Sequence, residues 1–367
     1  MKKIRVLIVE DSNVIRELLE HIIGRDPRLE IAGAVGSAEE ALRVLHRISP
    51  DVISMDIRLP GMNGFEATRQ IMAEKPTPIV VVAGSVESDD STITANALEA
   101  GALTVFEKPA GATSDRYEAV AERLCTQLAI MSQVSVVRRR RIANSSPRRR
   151  ERSPLDCPAE YRMMGIVSST GGPKALAQLL GALGPDFPLP ILLVQHISSD
   201  FLDEFAAWLR SVCPFSVKIV ENREVTAPGS VYLATRDRHL RLGVDCVEID
   251  FGAPVCSQRP SGTVLFESMA RILGNQSIGV LLTGMGEDGA EGLLRVREQG
   301  GYTIAEDEST AVVYGMPAAA VRMGGVRESL PLPAIGPRIL DLIATKKTRP
   351  ADTAPKYSRP PAFRHRS

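Results

Sequence analysis

The chain is poor in histidine and cysteine and carries no net charge. It has only five histidines in 367 residues, so an imidazole at a strand end is a notable feature. Its five cysteines (Cys125, Cys157, Cys213, Cys246 and Cys256) are scattered without CxxC spacing, which argues for reduced, structural thiols over a metal site. Lys plus Arg and Asp plus Glu both number 44, so net charge favours no class of partner. No run reaches the roughly 20 apolar residues that span a bilayer. Ile4–Val9 is too short, and too soon followed by acids, for a signal peptide. A cytoplasmic chain without membrane insertion is expected. No internal repeat is present.

What is there is a soluble globular composition, 44% apolar and 24% charged, long enough for two or three domains. The first 125 residues alternate short β-branched runs (Ile4–Val9, Glu30–Ala34, Asp51–Met55, Ile79–Val82, Leu103–Phe106) with amphipathic stretches. Ile15, Leu18, Leu19, Ile22 and Ile23 share one helical face. Five such units predict a doubly wound parallel sheet with its site at the carboxyl ends of the strands. Residues 126–159 read as a helical extension and an Arg-rich linker. Arg138–Arg141 and Arg148–Arg150 lie in it, where no apolar face can be drawn.

A second α/β domain is expected over 160–345, with a mainly parallel sheet. Its strand runs are Met163–Val167, Ile191–Gln195, Val217–Val220, Val231–Ala234, Cys246–Ile249, Ile278–Leu282 and Tyr302–Ala305. Residues 346–367 have the composition of a disordered tail.

In the first unit Glu10 and Asp11 end one strand, Asp56 ends another, and Lys108 follows the fifth. Crowded carboxylates repel one another unless a cation sits among them, and an all-oxygen set with room for water and phosphate suits Mg²⁺. Asp56 is then placed to attack a phosphoryl group, with Lys108 as a counter-charge. Any one of these residues alone reads as a solvated acidic strand edge; the four together at the right strand ends carry the functional reading.

The stretch Asp51-Val-Ile-Ser-Met-Asp56-Ile-Arg-Leu-Pro-Gly-Met-Asn-Gly64 strongly resembles the response-regulator receiver family, whose domain has a flavodoxin-like sheet. The resemblance implies that Asp56 accepts phosphate from a CheA-like histidine kinase. It implies also that Glu10, Asp11 and the Arg58 carbonyl complete the Mg²⁺ site. Two positions depart from the pattern. Ala83 stands where receivers carry Ser or Thr, and Val105 where they carry Tyr or Phe, with Phe106 one place later. Ser85 is offset from the missing hydroxyl.

In the second unit Met163–Val167 runs into Ser168-Ser169-Thr170-Gly171-Gly172-Pro173, a strand-to-helix junction with a Pro near the first helical position. By itself it suits either a phosphate cradle or a serine nucleophile beside a helix N-terminus. His196 follows the next apolar strand, and Thr283-Gly284-Met285-Gly286-Glu287-Asp288-Gly289 follows a third. Ser169, His196 and Asp288 then read as nucleophile, base and orienter at one sheet edge. Glu287 is adjacent to the orienter, and Asp288 also fits a helix N-cap. The Met285 N–H, then Thr170, are the expected oxyanion donors. The order Ser…His…Asp and the absence of GxSxG set the chain apart from α/β-hydrolases.

Ser169-Thr170-Gly171-Gly172, Gln195-His196, Leu282–Gly289 and Gly315-Met316-Pro317 together closely resemble the chemotaxis methylesterase family, CheB. That resemblance implies hydrolysis of γ-glutamyl methyl esters, and deamidation of glutamines, on cytoplasmic helices of methyl-accepting chemotaxis receptors. It places the orienting role on Asp288, requires no cofactor for the ester reaction, and implies release of autoinhibition on phosphorylation. The rival readings are a DNA-binding regulator, for which no helix-turn-helix is present and no specific nucleic acid is expected, and an adaptor or phosphate sink without esterase output.

Overall fold

The computed structural model describes residues 3–83, 96–97, 100–102, 104–109, 117–133, 161–197, 199–244 and 246–344. The first unit runs β1 (Ile4–Val9), α1 (Asn13–Arg25), β2 (Leu29–Val35), α2 (Ala38–Ile48), β3 (Val52–Met55), α3 (Gly64–Glu74), β4 (Ile79–Ala83), β5 (Thr104–Glu107) and α4 (Tyr117–Met131). Its strands lie in the order β2-β1-β3-β4-β5, with every pair parallel. In this order the chain reverses direction between β1 and β3, which leaves a crevice beyond their carboxyl ends.

Local chemistry sets the helix starts. Ser12, Ser37 and Asn63 each accept a backbone N–H in the first turn of α1, α2 and α3. Leu19, Ile22 and Ile23 of α1 are buried, and Ile15 and Leu18 pack partly against the same cluster. α4 carries on past residue 125, because Leu128, Ala129 and Met131 continue its apolar face into that core. Leu103, Ser85, Cys157, the arginine clusters and the tail 346–367 lie outside the described residues.

The second unit runs β6 (Met163–Ser168), α5 (Gly172–Leu183), β7 (Ile191–Gln195), α6 (Leu202–Val212), β8 (Ser216–Val220), β9 (Arg223–Glu224), β10 (Ser230–Ala234), β11 (His239–Leu242), β12 (Val247–Asp250), α7 (Gly262–Leu273), β13 (Ser277–Leu281), α8 (Ala290–Glu298), β14 (Tyr302–Glu306), α9 (Met316–Met323), β15 (Glu328–Leu330) and α10 (Leu332–Ala344). Seven strands form a parallel sheet in the order β15-β14-β13-β6-β7-β10-β8. The run expected at Cys246–Ile249 does not join it. As β12 it pairs antiparallel with β11 and β9 in a separate three-stranded sheet.

Strands buried on both faces are apolar throughout, and β6 shows why. Its Met164 and Ile166 point to a core with Leu176 and Leu180 of α5, while Met163 and Val167 point to one with Phe266 of α7 and Leu293 of α8. The chain leaves β6 first toward β7 and returns on the other side as β13, so the switch point of this sheet lies at β6. No helix among the described residues is long and apolar enough to cross a membrane.

The two units touch. Phe201, just before α6, is fully buried in the core cluster that holds Ala83, Ala97 and Ala102 of the first unit, and Ile197 packs against the same cluster. Lys174 Nζ donates to the Gly101 carbonyl at 3.2 Å.

Phe266 fills space left by glycines. A Cβ at Gly165, Gly279, Gly289 or Gly292 would approach its side chain within 3.6 Å. Phe266→Ala would therefore open a cavity that backbone cannot close, and is expected to cost about 3–5 kcal/mol. Urea denaturation followed by tryptophan fluorescence at Trp208 checks this. A loss below 1 kcal/mol, on the order of a surface substitution, would contradict the packing.

Candidate functional site

The second sheet delivers three segments to one rim. Register pairs Ser168 with Gln195 and Val167 with Leu281, so Ser169 and His196 follow directly beyond adjacent strands, and Thr283 flanks Ser169 on the other side. Backbone bonds fix this arrangement. His196 N–H donates to the Ser168 carbonyl at 3.0 Å and Ser169 N–H to the Thr283 carbonyl at 3.0 Å. Gln195 ties the loops together, accepting from Ser168 Oγ at 2.7 Å and donating from Nε2 to the Ser169 and His196 carbonyls at 2.8 and 2.9 Å.

Two glycines are required by space. A Cβ on Gly172 would lie 2.1 Å from Gln195 Oε1, and one on Gly284 would lie 2.8 Å from the Ser169 Cβ. Either would push the serine turn away from the histidine loop.

His196 Nε2 lies 2.8 Å from Asp288 Oδ2. The other ring nitrogen, Nδ1, is buried and has no hydrogen-bond partner, so the bond from Ser169 to the imidazole is open in this structure. Such bonds often tighten only with substrate in place. With Nε2 engaged by the carboxylate, Nδ1 is the ring nitrogen left without a partner. Of the two adjacent acids, Glu287 is exposed, and Asp288 is the one that contacts the imidazole.

Asp288 is 1% exposed and collects further donors. Ser261 Oγ donates to Oδ1 at 2.6 Å, Gly262 N–H to Oδ2 at 2.6 Å and Thr263 N–H to Oδ1 at 3.2 Å. These groups form the N-terminus of α7. Asp288 therefore does sit at a helix start, but at that of α7; the helix that follows it, α8, has Gly289 at its N-cap position and no side-chain cap. Burial by itself would raise the Asp288 carboxyl. The His196 hydrogen bond and charge, with Ser261 and the Gly262 N–H, outweigh it and hold the group below its ordinary value of 3.8.

Ser261, Gly262 and Thr263 were not singled out in the sequence. Ser261 before the apolar run of α7 is a readable N-cap, but nothing local links it to an acid 27 positions away. His239, fully buried on β11, accepts the Ser261 N–H at Nδ1 (3.1 Å) and contacts the Ala253 carbonyl through Nε2 (3.0 Å), so it steadies this corner.

The N–H groups of Met285 and Thr170 have no acceptor among the described residues, and Met285 stands 40% exposed at the lip of its loop. Thr283 joins the two loops, its Oγ donating to the Thr170 carbonyl at 2.9 Å and accepting the Val313 N–H at 2.9 Å.

In the first unit, ligand oxygens of Glu10, Asp11 and Asp56 lie within 4.8 Å of one another, with Glu10 and Asp56 buried and Asp11 exposed. Lys108 Nζ bridges the buried pair, 2.8 Å from Glu10 Oε2 and 2.9 Å from Asp56 Oδ2. Burial raises the Glu10 carboxyl, aided by the Asp56 charge and opposed by Lys108. For Lys108 burial pulls downward, but its two carboxylate partners win and hold it above the ordinary range. Arg58 is exposed, two residues past Asp56. Ala83 offers no hydroxyl; its carbonyl accepts the Lys108 N–H at 2.7 Å.

The class is thus a receiver-type domain joined to an α/β domain with Ser, His and Asp gathered at its switch point. Residues 164–339 match the CheB methylesterase family, and residues 6–118 match the response regulator receiver domain. A Paramagnetospirillum magneticum protein named protein-glutamate methylesterase/protein-glutamine glutaminase 2 is 57% identical over 344 residues, which cover 93% of this chain and 98% of that one. A Myxococcus xanthus relative named protein-glutamate methylesterase/protein-glutamine glutaminase 4 is 43% identical over 92% of this chain and 96% of its own. The crystal structure of the Thermotoga maritima CheB methylesterase catalytic domain is 35% identical and covers 50% of this chain and 100% of that one, with a TM-score of 0.48. The chain belongs to the protein-glutamate methylesterase/protein-glutamine glutaminase family, the CheB methylesterases.

The Asp288 cradle has a consequence in acid. A carboxyl held below 3.8 stabilises the fold fully above that value, and the contribution is lost as pH falls through the folded value. Ser261→Ala removes one donor, so the folded value should rise and acid unfolding should begin at higher pH. The variant is expected to lose about 1.5–3 kcal/mol at pH 7 and less near pH 3. Urea titrations at the two pH values test the sign; a loss that grows in acid would contradict it.

Proposed function

We propose that the chain is a phosphorylation-activated protein-glutamate methylesterase with protein-glutamine glutaminase activity, acting in the cytoplasm on helices of methyl-accepting chemotaxis receptors. The observation that carries this is the 2.8 Å contact of His196 with a buried Asp288, at the strand end next to Ser169.

Ser169 is the nucleophile in this reading. His196 Nδ1 takes the hydroxyl proton as Oγ attacks the γ-carbonyl, and the N–H groups of Met285 and Thr170 receive the oxyanion. The proton passes to the leaving group, which departs as methanol from an ester or ammonia from an amide. Water then attacks the acyl–Ser169 bond, gives its proton to His196, and releases glutamate and free serine. Asp288 stays ionised throughout, holding the imidazole ring and stabilising its charge. No step needs a cofactor.

In the first domain Asp56 is the proposed phosphoacceptor from a CheA-like histidine kinase. Three clustered carboxylates, two of them buried and one open to solvent, fit Mg²⁺, with Glu10, Asp11, Asp56 and the Arg58 carbonyl as its holders. The ion would supply neutralisation of the incoming phosphoryl group. Lys108, already 2.9 Å from Asp56, is positioned to pair with a phosphoryl oxygen.

Ser169→Ala is expected to abolish methanol release from a methylated receptor fragment, a fall of about 10⁴–10⁶-fold, while phosphorylation at Asp56 is retained. Full residual hydrolysis would discard the mechanism. Asp56→Asn should keep basal turnover and lose its stimulation by a phosphodonor. An unchanged response to the phosphodonor would refute the role of Asp56.

A further inference from the structure

Outside the Ser–His–Asp cluster one buried imidazole has no part in the reaction as written. His239 opens β11 opposite Asp250 of β12 and is 1% exposed. Its two contacts fix its protonation. A backbone N–H can only donate, so Nδ1, which receives the Ser261 N–H at 3.1 Å, carries no proton. A carbonyl can only accept, so Nε2, 3.0 Å from the Ala253 oxygen, carries one. The ring is therefore neutral and a single tautomer. Asp250 faces it across the strand pair but is engaged by Arg241, so an ion pair is not what holds the ring.

Both partners of His239 belong to one stretch of chain. Residues 251–260 lead from β12 to α7, with Ala253 near the entrance and Ser261 at the exit as the N-cap of the helix. The other ties of this loop are exposed: Arg259 pairs with Asp237 at 2.6 Å and reaches the Gly252 carbonyl at 3.2 Å. His239 holds the loop from inside the fold. Imidazole suits the position because it presents an acceptor and a donor on opposite sides of one flat ring. An amide carries both on one carbon and can reach only one of the two partners.

Ser261 is where the loop meets the catalytic carboxylate. Its Oγ donates to Asp288 Oδ1 at 2.6 Å, and the N–H groups of Gly262 and Thr263 end on Asp288 as well. Three of the four donors to that buried charge thus follow directly on the loop that His239 closes. The backbone there has no slack, since a Cβ on Gly262 would lie 2.3 Å from Val167 Cγ1 on β6. A displaced Ser261 is therefore passed on to Asp288, and from it to His196, which lies 2.8 Å away.

We propose that His239 is a positioning residue of the esterase site: as the neutral Nε2–H imidazole it clasps both ends of the 253–261 loop and so sets the donors that aim Asp288 at His196. The kinetic consequence rests on the methylesterase reading; the clasp itself rests on the two ring contacts. Asn places an acceptor near the position of Nδ1 and Gln a donor near that of Nε2, so the two substitutions separate the bond to Ser261 from the bond to Ala253.

The test uses the full chain with Mg²⁺ and acetyl phosphate present. In a ¹⁵N-labelled sample only five histidines contribute imidazole signals, and His239 is expected to show a protonated Nε2 and an unprotonated Nδ1. His239→Asn should retain most of kcat for methanol release from a methylated receptor fragment. His239→Gln should lower kcat by about tenfold to 10²-fold, leave KM unchanged, and move the low-field proton of the His196–Asp288 bond to higher field. A merely structural role would destabilise both variants in urea without this ordering of kcat. Equal kcat in the two variants, or an Nδ1–H tautomer in the unsubstituted chain, overturns the assignment. Should His239→Gln not fold, the tautomer and the kcat of His239→Asn decide it, and loss of activity in a folded Asn variant overturns it as well. If the unsubstituted chain releases no methanol, the methylesterase reading falls instead, and the tautomer and the His196–Asp288 proton still decide the clasp.

Discussion

Asp288 brings a negative charge to a position 1% exposed, where an unpartnered carboxylate would cost several kcal/mol. The rest of the second domain's rim is arranged around that constraint. Two N–H groups from the start of α7, the Ser261 hydroxyl and the His196 imidazole converge on its two oxygens. Each donor is useful twice. It stabilises the buried charge, and it fixes the direction in which the carboxylate presents itself to His196. The histidine ring is thereby held with Nε2 engaged by the carboxylate and Nδ1 without a hydrogen-bond partner.

That arrangement explains what was legible in the sequence and what was not. Ser169 and His196 follow directly on β6 and β7, and Asp288 lies in the loop between β13 and α8; their approach was legible because parallel strands bring such segments to one edge. The choice between Glu287 and Asp288 rested on a resemblance; only the folded chain shows one buried and the other exposed. Ser261 and His239 could not be read as site residues, because their link to Asp288 is made by tertiary contact over more than twenty positions. β11, β9 and β15 are short and half-polar, so period alone does not separate them from loops. The Cys246–Ile249 run carries a strand signal, but a strand signal says nothing about which sheet it joins.

The first domain depends on a comparable economy of charge. Lys108 lies between Glu10 and Asp56, so one ammonium offsets two buried carboxylates. Its own backbone N–H is bound to the Ala83 carbonyl, which ties the cation's position to the end of β4. A receiver with Ser or Thr at that place has a hydroxyl to move toward a phosphoryl group. Here the position is a buried methyl, and Val105 replaces the usual aromatic. The polar switch is missing from the side chains where it is ordinarily found.

The contact between the domains lies at that same place. Ala83 shares its core cluster with Phe201, and Ile197, the residue after His196, packs against it. The segment between β7 and α6 therefore leaves the histidine and enters the apolar core of the first domain within five residues. A change of state in the first domain can influence His196 only to the extent that it stabilises one arrangement of this contact over another. Reversing a 1:99 preference to 99:1 would need about 5.5 kcal/mol of such difference. Lys108, which contacts Asp56 directly, meets β4 through its backbone at Ala83. Ala83 thus joins the charged site to the domain contact: its carbonyl holds the Lys108 N–H, and its methyl lies in the apolar cluster that seats Phe201.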